Sequence, residues 1–186
     1  MPSPVGHTLF TLSVLRLSGK EIFKNKFLLL LGLFLGLSPD IDLALIIIFG
    51  FKEGGKYHQL YTHSIFFVIM IFLFLFVFSR SFKLSFLLSS LVLFHIIIDI
   101  FSVDLKPPIG VPIFSPLSSL TLNIGILPKI EKSSFSSLFS KNNLQAMLIE
   151  IAIFLPILLI VYFLTAKRND GRKGKKHFHW LPNQHF

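Results

Sequence analysis

The chain has 186 residues, is 53% hydrophobic with 23 phenylalanines, and is only 15% charged, which is too apolar for an ordinary soluble domain and places it in a bilayer. Cysteine is absent, so disulfides, thiolate zinc sites and thiol nucleophiles are excluded, and any metal must be held by nitrogen and oxygen. The formal net charge of +9 sits in short basic clusters between apolar runs, a pattern that sets membrane orientation and does not describe a nucleic-acid surface.

The N-terminal stretch MPSPVGHTLFTLSVLRLSG lacks the basic n-region and small-residue cleavage site of a removable signal. It is expected to remain as a first helix over 5–18, in which His7 is either an interfacial histidine or a ligand. A second helix is expected over 23–38. Pro39 disfavours helical geometry at Ser38, so the chain should turn there and project Asp40 and Asp42 from an apolar background. An ionised Asp at the centre of a membrane helix costs roughly 2.5–3.5 kcal/mol, so something should hold this pair. One aspartate could be a metal ligand and the other a base or outer partner; alternatively they cap the apolar piece at 41–51.

The segment YHQLYTHSIFF places His58 and His63 five residues apart, which on a straight helix is about 140° of divergence. They converge only if a turn intervenes, and Thr62 is a suitable N-cap for a third helix over 62–79. Otherwise they are two histidines at the membrane boundary. The fourth helix, 84–102, contains LFHIIIDIFS, where His95 and Asp99 share one face about one turn apart. That pair can bind one metal or two adjacent metals, or it can be a buried hydrogen bond that fixes helix packing. Residues 103–144 are rich in Ser, Pro and Gly and read as a long loop with short helical pieces. A last spanning helix follows over 145–166, with Pro156 expected to kink it and Glu150 expected to snorkel to the interface. The tail from 167 is basic and begins KRNDGRKGKK.

Successive helices joined by tight loops run antiparallel. The start of the first helix then lies beside the end of the second, and the start of the third beside the end of the fourth. His7, Asp40, Asp42, His58, His63, His95 and Asp99 are thereby gathered at one end. Arg16, Lys20, Lys24, Lys26, Arg80, Lys83 and the basic tail fall at the other end, which the positive-inside rule makes cytoplasmic.

At these residues the sequence resembles the YdjM-like family, membrane-bound proteins regarded as metal-dependent hydrolases. The resemblance rests on His7, PDID at 39–42, H-x-x-x-T-H-S from His58 to Ser64, H-x-x-x-D from His95 to Asp99, and Gly110 with PIFSP at 112–116. It covers about residues 1–116. It implies a distant likeness to the zinc phospholipase C fold, in which Asp99 would bridge metals and a PDID aspartate would be ligand or base. Two departures stand out. The family often has Arg-Gly after the first histidine of its H-R-G-x-T-H-S motif, where this chain has Gln59 and Leu60, so the bidentate phosphate clamp an arginine offers is missing. A second H-x-x-x-D/E pair, present in the soluble phospholipases, is not found.

The expectation is an all-α, integral membrane helical bundle of about five spanning or partly spanning helices, multi-pass in the inner (plasma) membrane. Residues 1–116 would form the metal-site bundle, 117–144 an extracytoplasmic Ser-rich loop, 145–166 the last transmembrane helix and 167–186 a cytoplasmic tail. The expected metal ligands are His7, Asp40, Asp42, His58, His63, His95 and Asp99, with Asp40 and Asp42 also the catalytic candidates. The expected cofactor is a divalent metal, zinc foremost, as one or two ions. The expected partners are membrane lipid and a phosphoester substrate, with no nucleic acid. A metal-ion transporter and a non-catalytic structural or regulatory membrane protein are the rival functions.

Overall fold

The computed structural model describes residues 2–45, 48–50, 59–104, 109–131 and 134–170. His58 and the tail from 171 lie outside the described residues. Among those described the protein is all-helical, with two isolated backbone bridges and no strand. Its elements are α1 (Pro4–Ser18), α2 (Lys20–Lys24), α3 (Lys26–Leu37), a 3₁₀ segment (Ser38–Leu43), α4 (Ile65–Ser79), α5 (Phe82–Ile100), α6 (Phe135–Leu138) and α7 (Lys141–Asp170). Among the described residues, three runs are long and apolar enough to cross a membrane: Lys26–Gly50, Phe82–Ile100 and Ser136–Ala166.

Local chemistry sets these boundaries. Asn25 divides the expected second helix, because its side chain accepts from Leu28 N at 3.1 Å and caps α3, leaving α2 as a separate turn. Pro39 does not push Ser38 out of helical geometry as expected, since Ser38 has φ −62° and ψ −29°; Pro39 brings no N–H for an α-helical bond, Ser38 N donates to Leu35 O instead, and α3 passes into 3₁₀. Ser64, and not Thr62, caps α4 by accepting from Phe67 N. α7 begins a turn earlier than the apolar pattern indicates and accommodates Pro156 in its interior.

α3 carries Gly32 and Gly36 four residues apart, the small-xxx-small pattern that lets membrane helices approach closely. A Cβ at Gly32 would lie 2.9 Å from both δ-methyls of Leu15 on α1, and one at Gly36 would overlap the side chain of Thr11. α3 therefore packs directly on α1, around a core that includes Leu15, Leu35, Leu88, Leu91, Val92 and Ile96. α7 runs parallel to α1, as the pairings Ser3 with Glu150, Phe10 with Phe154 and Arg16 with Tyr162 show.

The loop after α5 returns over one end of the bundle. Ile124 N and Ile126 N donate to the carbonyls of Ile100 and Phe101 at 2.7 Å, satisfying acceptors that a helix end leaves open. Ile65 N, at the start of α4, donates to Ile113 O at 2.9 Å. Gly110 is required within this loop: its φ is +92°, and a Cβ there would lie 2.6 Å from Leu122 O. The ends of α4 and α5 are thus tied together on the side where the histidines and aspartates lie.

Candidate metal centre

The side chains of Asp40, His63, His95 and Asp99 each offer one donor atom, and these four atoms all lie within 4.8 Å of one another. Three separate stretches of chain would not bring nitrogen and carboxylate donors together in an apolar interior without local reasons, and each residue has one. His95 and Asp99 are one turn apart on α5, with His95 Nε2 3.5 Å from Asp99 Oδ2. Asp40 is presented by the 3₁₀ segment, its Oδ1 3.7 Å from both His63 Nε2 and His95 Nε2. His63 precedes the Ser64 cap and reaches Asp99 Oδ2 with Nε2 at 2.9 Å. Both α5 residues and His63 are buried.

The far nitrogen of each imidazole is fixed by a neighbour. His95 Nδ1 lies 2.8 Å from Gly36 O, and because a carbonyl only accepts, Nδ1 carries the proton and Nε2 presents its lone pair to the cluster. His63 Nδ1 lies 3.1 Å from Thr62 Oγ1, whose hydroxyl donates to Asp42 Oδ2 at 2.8 Å. That order of donation makes His63 Nδ1 a donor to Thr62 and leaves Nε2 as the acceptor. Asp42 is held a second time by Gln59 N at 2.8 Å, and Gln59 adopts a left-handed backbone with φ +68°.

His7 stacks on His95 with ring centroids 3.7 Å apart and planes 10° from parallel. Its Nε2 lies 3.3 Å from Asp99 Oδ1, so Asp99 turns one oxygen to His7 and the other to His63 and His95. His7 Nδ1 and Nε2, His95 Nε2 and both oxygens of Asp99 are buried, yet none meets hydrogen-bond geometry despite these close approaches. Buried polar atoms without hydrogen bonds are costly, and in a native interior they call for a compensating partner such as an ion. A tetrahedral ion with bonds of about 2.0–2.2 Å separates its ligand atoms by roughly 3.3–3.6 Å. The 3.5 Å separation falls within that spacing, the two of 3.7 Å lie just above it and the 2.9 Å between His63 and Asp99 below it, and the donor set is of the right chemistry.

The family model for the YdjM inner membrane protein matches residues 1–169. The chain belongs to this family. The match extends past the residues that carry the sequence resemblance, taking in the loop after α5 and nearly all of α7. No curated protein and no solved structure matches the chain. Membership agrees with the three apolar runs in making this a membrane protein.

Of the seven expected ligands, the structure brings six into one neighbourhood: His7, Asp40, Asp42, His63, His95 and Asp99. Asp42 stands one layer back, on Thr62. Sequence reasoning missed three supporting residues. Thr62 is an outer partner of the cluster and not a helix cap, a role the T-H-S motif could have signalled. Gly36 supplies both the close approach of α3 and the carbonyl on His95, and the G-x-x-x-G spacing was its signal. Glu150 does not reach the interface: it is 0% exposed, and both its oxygens accept from Ser3 N, at 2.9 and 3.0 Å. Ser3 Oγ also donates to Glu150 and accepts from Gly6 N, so the carboxylate completes the N-cap of the helix that carries His7.

Proposed function

We propose that the cluster binds one or two divalent ions, zinc foremost, and that the protein is a membrane-bound hydrolase acting on a phosphoester at or near the bilayer. The observation that carries the reading is the convergence of Asp40, His63, His95 and Asp99, with His95 Nε2 and both Asp99 oxygens buried and outside hydrogen-bond geometry. An ion held there would supply Lewis acidity, acidifying water and offsetting charge on phosphoryl oxygens.

The chain's own residues divide the remaining work. Gly36 O and Thr62 Oγ1 hold His95 and His63 in the tautomers that present Nε2. Asp40 takes the ligand role, because it faces both imidazoles. Asp42 takes the outer role, orienting His63 through Thr62. Asp99 faces His7 with one oxygen and His63 and His95 with the other, so it is the residue that would be shared if a second ion were held. A cleft of about 370 Å³, lined by Ile41, Asp42, Leu45, Tyr61 and Thr62, opens beside Asp42 and is the route we assign to the substrate. Its walls are largely apolar, which suits a substrate with a hydrocarbon portion.

The test is elemental analysis of the purified protein, followed by release of phosphate or phosphoalcohol from phosphoester substrates with and without chelator. Expected are near-stoichiometric metal in the wild type, its loss in His63→Ala and His95→Ala, and activity that falls with the metal. Wild-type protein that takes up no divalent ion when supplied with zinc would overturn the reading. Metal that is bound while no phosphoester is cleaved would leave the centre and remove the hydrolase.

A further inference from the structure

The other end of the bundle holds a second charged group without an explanation. Arg16, in the last turn of α1, is only 8% exposed. Its guanidinium carbon lies 4.8 Å from the centroid of the Tyr162 ring and 5.3 Å from that of Phe23. It makes no ion pair and no hydrogen bond with any described residue, and its Nε is buried with nothing to donate to. A buried charge is normally paired, because removing it from water is costly. Aromatic faces attract a cation, but they accept nothing from the N–H groups at its edge.

The surroundings favour an anion. Exposed Lys20 and Lys24 on α2 and Lys26 at the start of α3 follow directly in sequence. α3 and α5 run the same way, since Gly36 near the end of one meets His95 towards the end of the other, so exposed Arg80 and Lys83 also belong to this end. Among the residues whose side chains are described, Glu21 is the carboxylate at this end; it is exposed and forms no ion pair with Arg16. Guanidinium presents a planar fork of donors matched to two oxygens of one phosphate, and stacking against rings holds that plane while leaving its edge available.

We propose that Arg16, oriented by Phe23 and Tyr162, is the core of a phosphate-binding site at the end of the bundle opposite the His/Asp cluster. The ligand is a phosphate group, supplied by an anionic lipid headgroup or by the free ion. Lys20, Lys24 and Lys26 raise the local anion concentration, and Arg16 supplies the directed contact.

The experiment uses the full chain in a non-ionic, phosphate-free detergent at fixed ionic strength. Thermal unfolding is followed while a short-chain phosphatidylglycerol or sodium phosphate is added. The wild type should show a saturable upward shift of its midpoint. With Arg16→Gln the concentration needed should rise about tenfold, as for loss of a charge-assisted hydrogen bond. A shift with the lipid alone makes the source a headgroup, and a shift with sodium phosphate as well makes the free ion a ligand. Arg16→Lys and Tyr162→Leu serve should Arg16→Gln fail to fold: a simple interfacial cation would leave Lys equal to Arg, whereas the proposed fork requires weaker binding in both variants. Equal responses across wild type and all folded variants, to both additives, would overturn the proposal. Metal content is expected to stay at the wild-type level throughout, which keeps this test separate from that of the cluster.

Discussion

Replacing Gly36 with alanine tests whether helix approach builds the cluster. In an unconstrained helix this change stabilises by about 1 kcal/mol, because glycine is the poorer helix former. Here the new methyl would overlap Thr11, whose Cγ2 and Cβ would lie 2.9 and 3.1 Å away with Oγ1 closer still. Thr11 is β-branched, buried and set on a helix, so it cannot swing clear. Overpacking of this kind costs about 1–3 kcal/mol. Relief requires α1 and α3 to part, which also draws Gly36 O from His95 Nδ1 and gives up a further ~1 kcal/mol of hydrogen bond. The expected result is a net loss of about 1–3 kcal/mol in stability, with metal affinity weakened about 10–100-fold as for other lost outer partners. Thr11→Ala removes two of the three colliding atoms and should restore much of both quantities in the double variant, a coupling measurable by a double-mutant cycle in detergent. If Gly36→Ala proves as stable as wild type, or if Thr11→Ala gives no rescue, the close α1–α3 contact is not what positions His95.

Asp99→Asn keeps the volume but removes the charge that faces His7, His63 and His95, so metal content and any hydrolysis should collapse together while the protein still inserts; unchanged metal with lowered stability would leave Asp99 a packing residue. Thr62→Val cuts the link between His63 and Asp42, and metal affinity should fall about 10–100-fold with the protein still folded, measured by competition with a chelator of known affinity. Glu150→Ala leaves Ser3 N without its acceptor and should destabilise by about 1–3 kcal/mol, whereas Glu150→Gln retains one accepting oxygen and should lose less; equal loss in both would mean that charge, and not capping, matters. A reporter fused after Phe186 should be cytoplasmic and a tag at Ser134 accessible from outside; the same side for both would mean that α7 does not separate them and would leave the cluster without an assigned orientation.

Relations within one segment were legible in the sequence, and relations between segments were legible only as far as topology carries them. His95 and Asp99 share a face because the helical period puts them there. Pro39 has no N–H to give to an α-helical bond, and α3 passes at Ser38 into the 3₁₀ segment with its two aspartates. Antiparallel hairpins then predict which ends meet, and His7 does meet Asp99. Hydropathy alone could not show which polar atom answers another across helices. Thr62 reads as a cap because a threonine before an apolar run usually is one. Only the fold reveals that Ser64 already does that work and that Thr62 is left to join His63 to Asp42. The division of α2 from α3 was hidden for a related reason: the single side-chain bond from Asn25 has little weight against a continuous basic and apolar pattern.

Glu150 shows why burial cannot be read from residue type in such a chain. A carboxylate near the start of a membrane helix can escape to water only if its helix presents that side to the interface. α7 instead presents it to the N-terminus of α1, where Ser3 N donates and the helix dipole favours negative charge. Gly6 is part of the same fit, since a Cβ there would lie 2.6 Å from Glu150 Oε2. The contact is made one turn before His7, at the only end of α1 that faces the cluster. α7 contributes no donor to the centre, yet by fixing the entry of α1 it determines where the His7 ring stands against His95. The family match, which runs to residue 169, is therefore physically reasonable: a centre assembled from the first hundred residues depends on a helix that begins at Lys141.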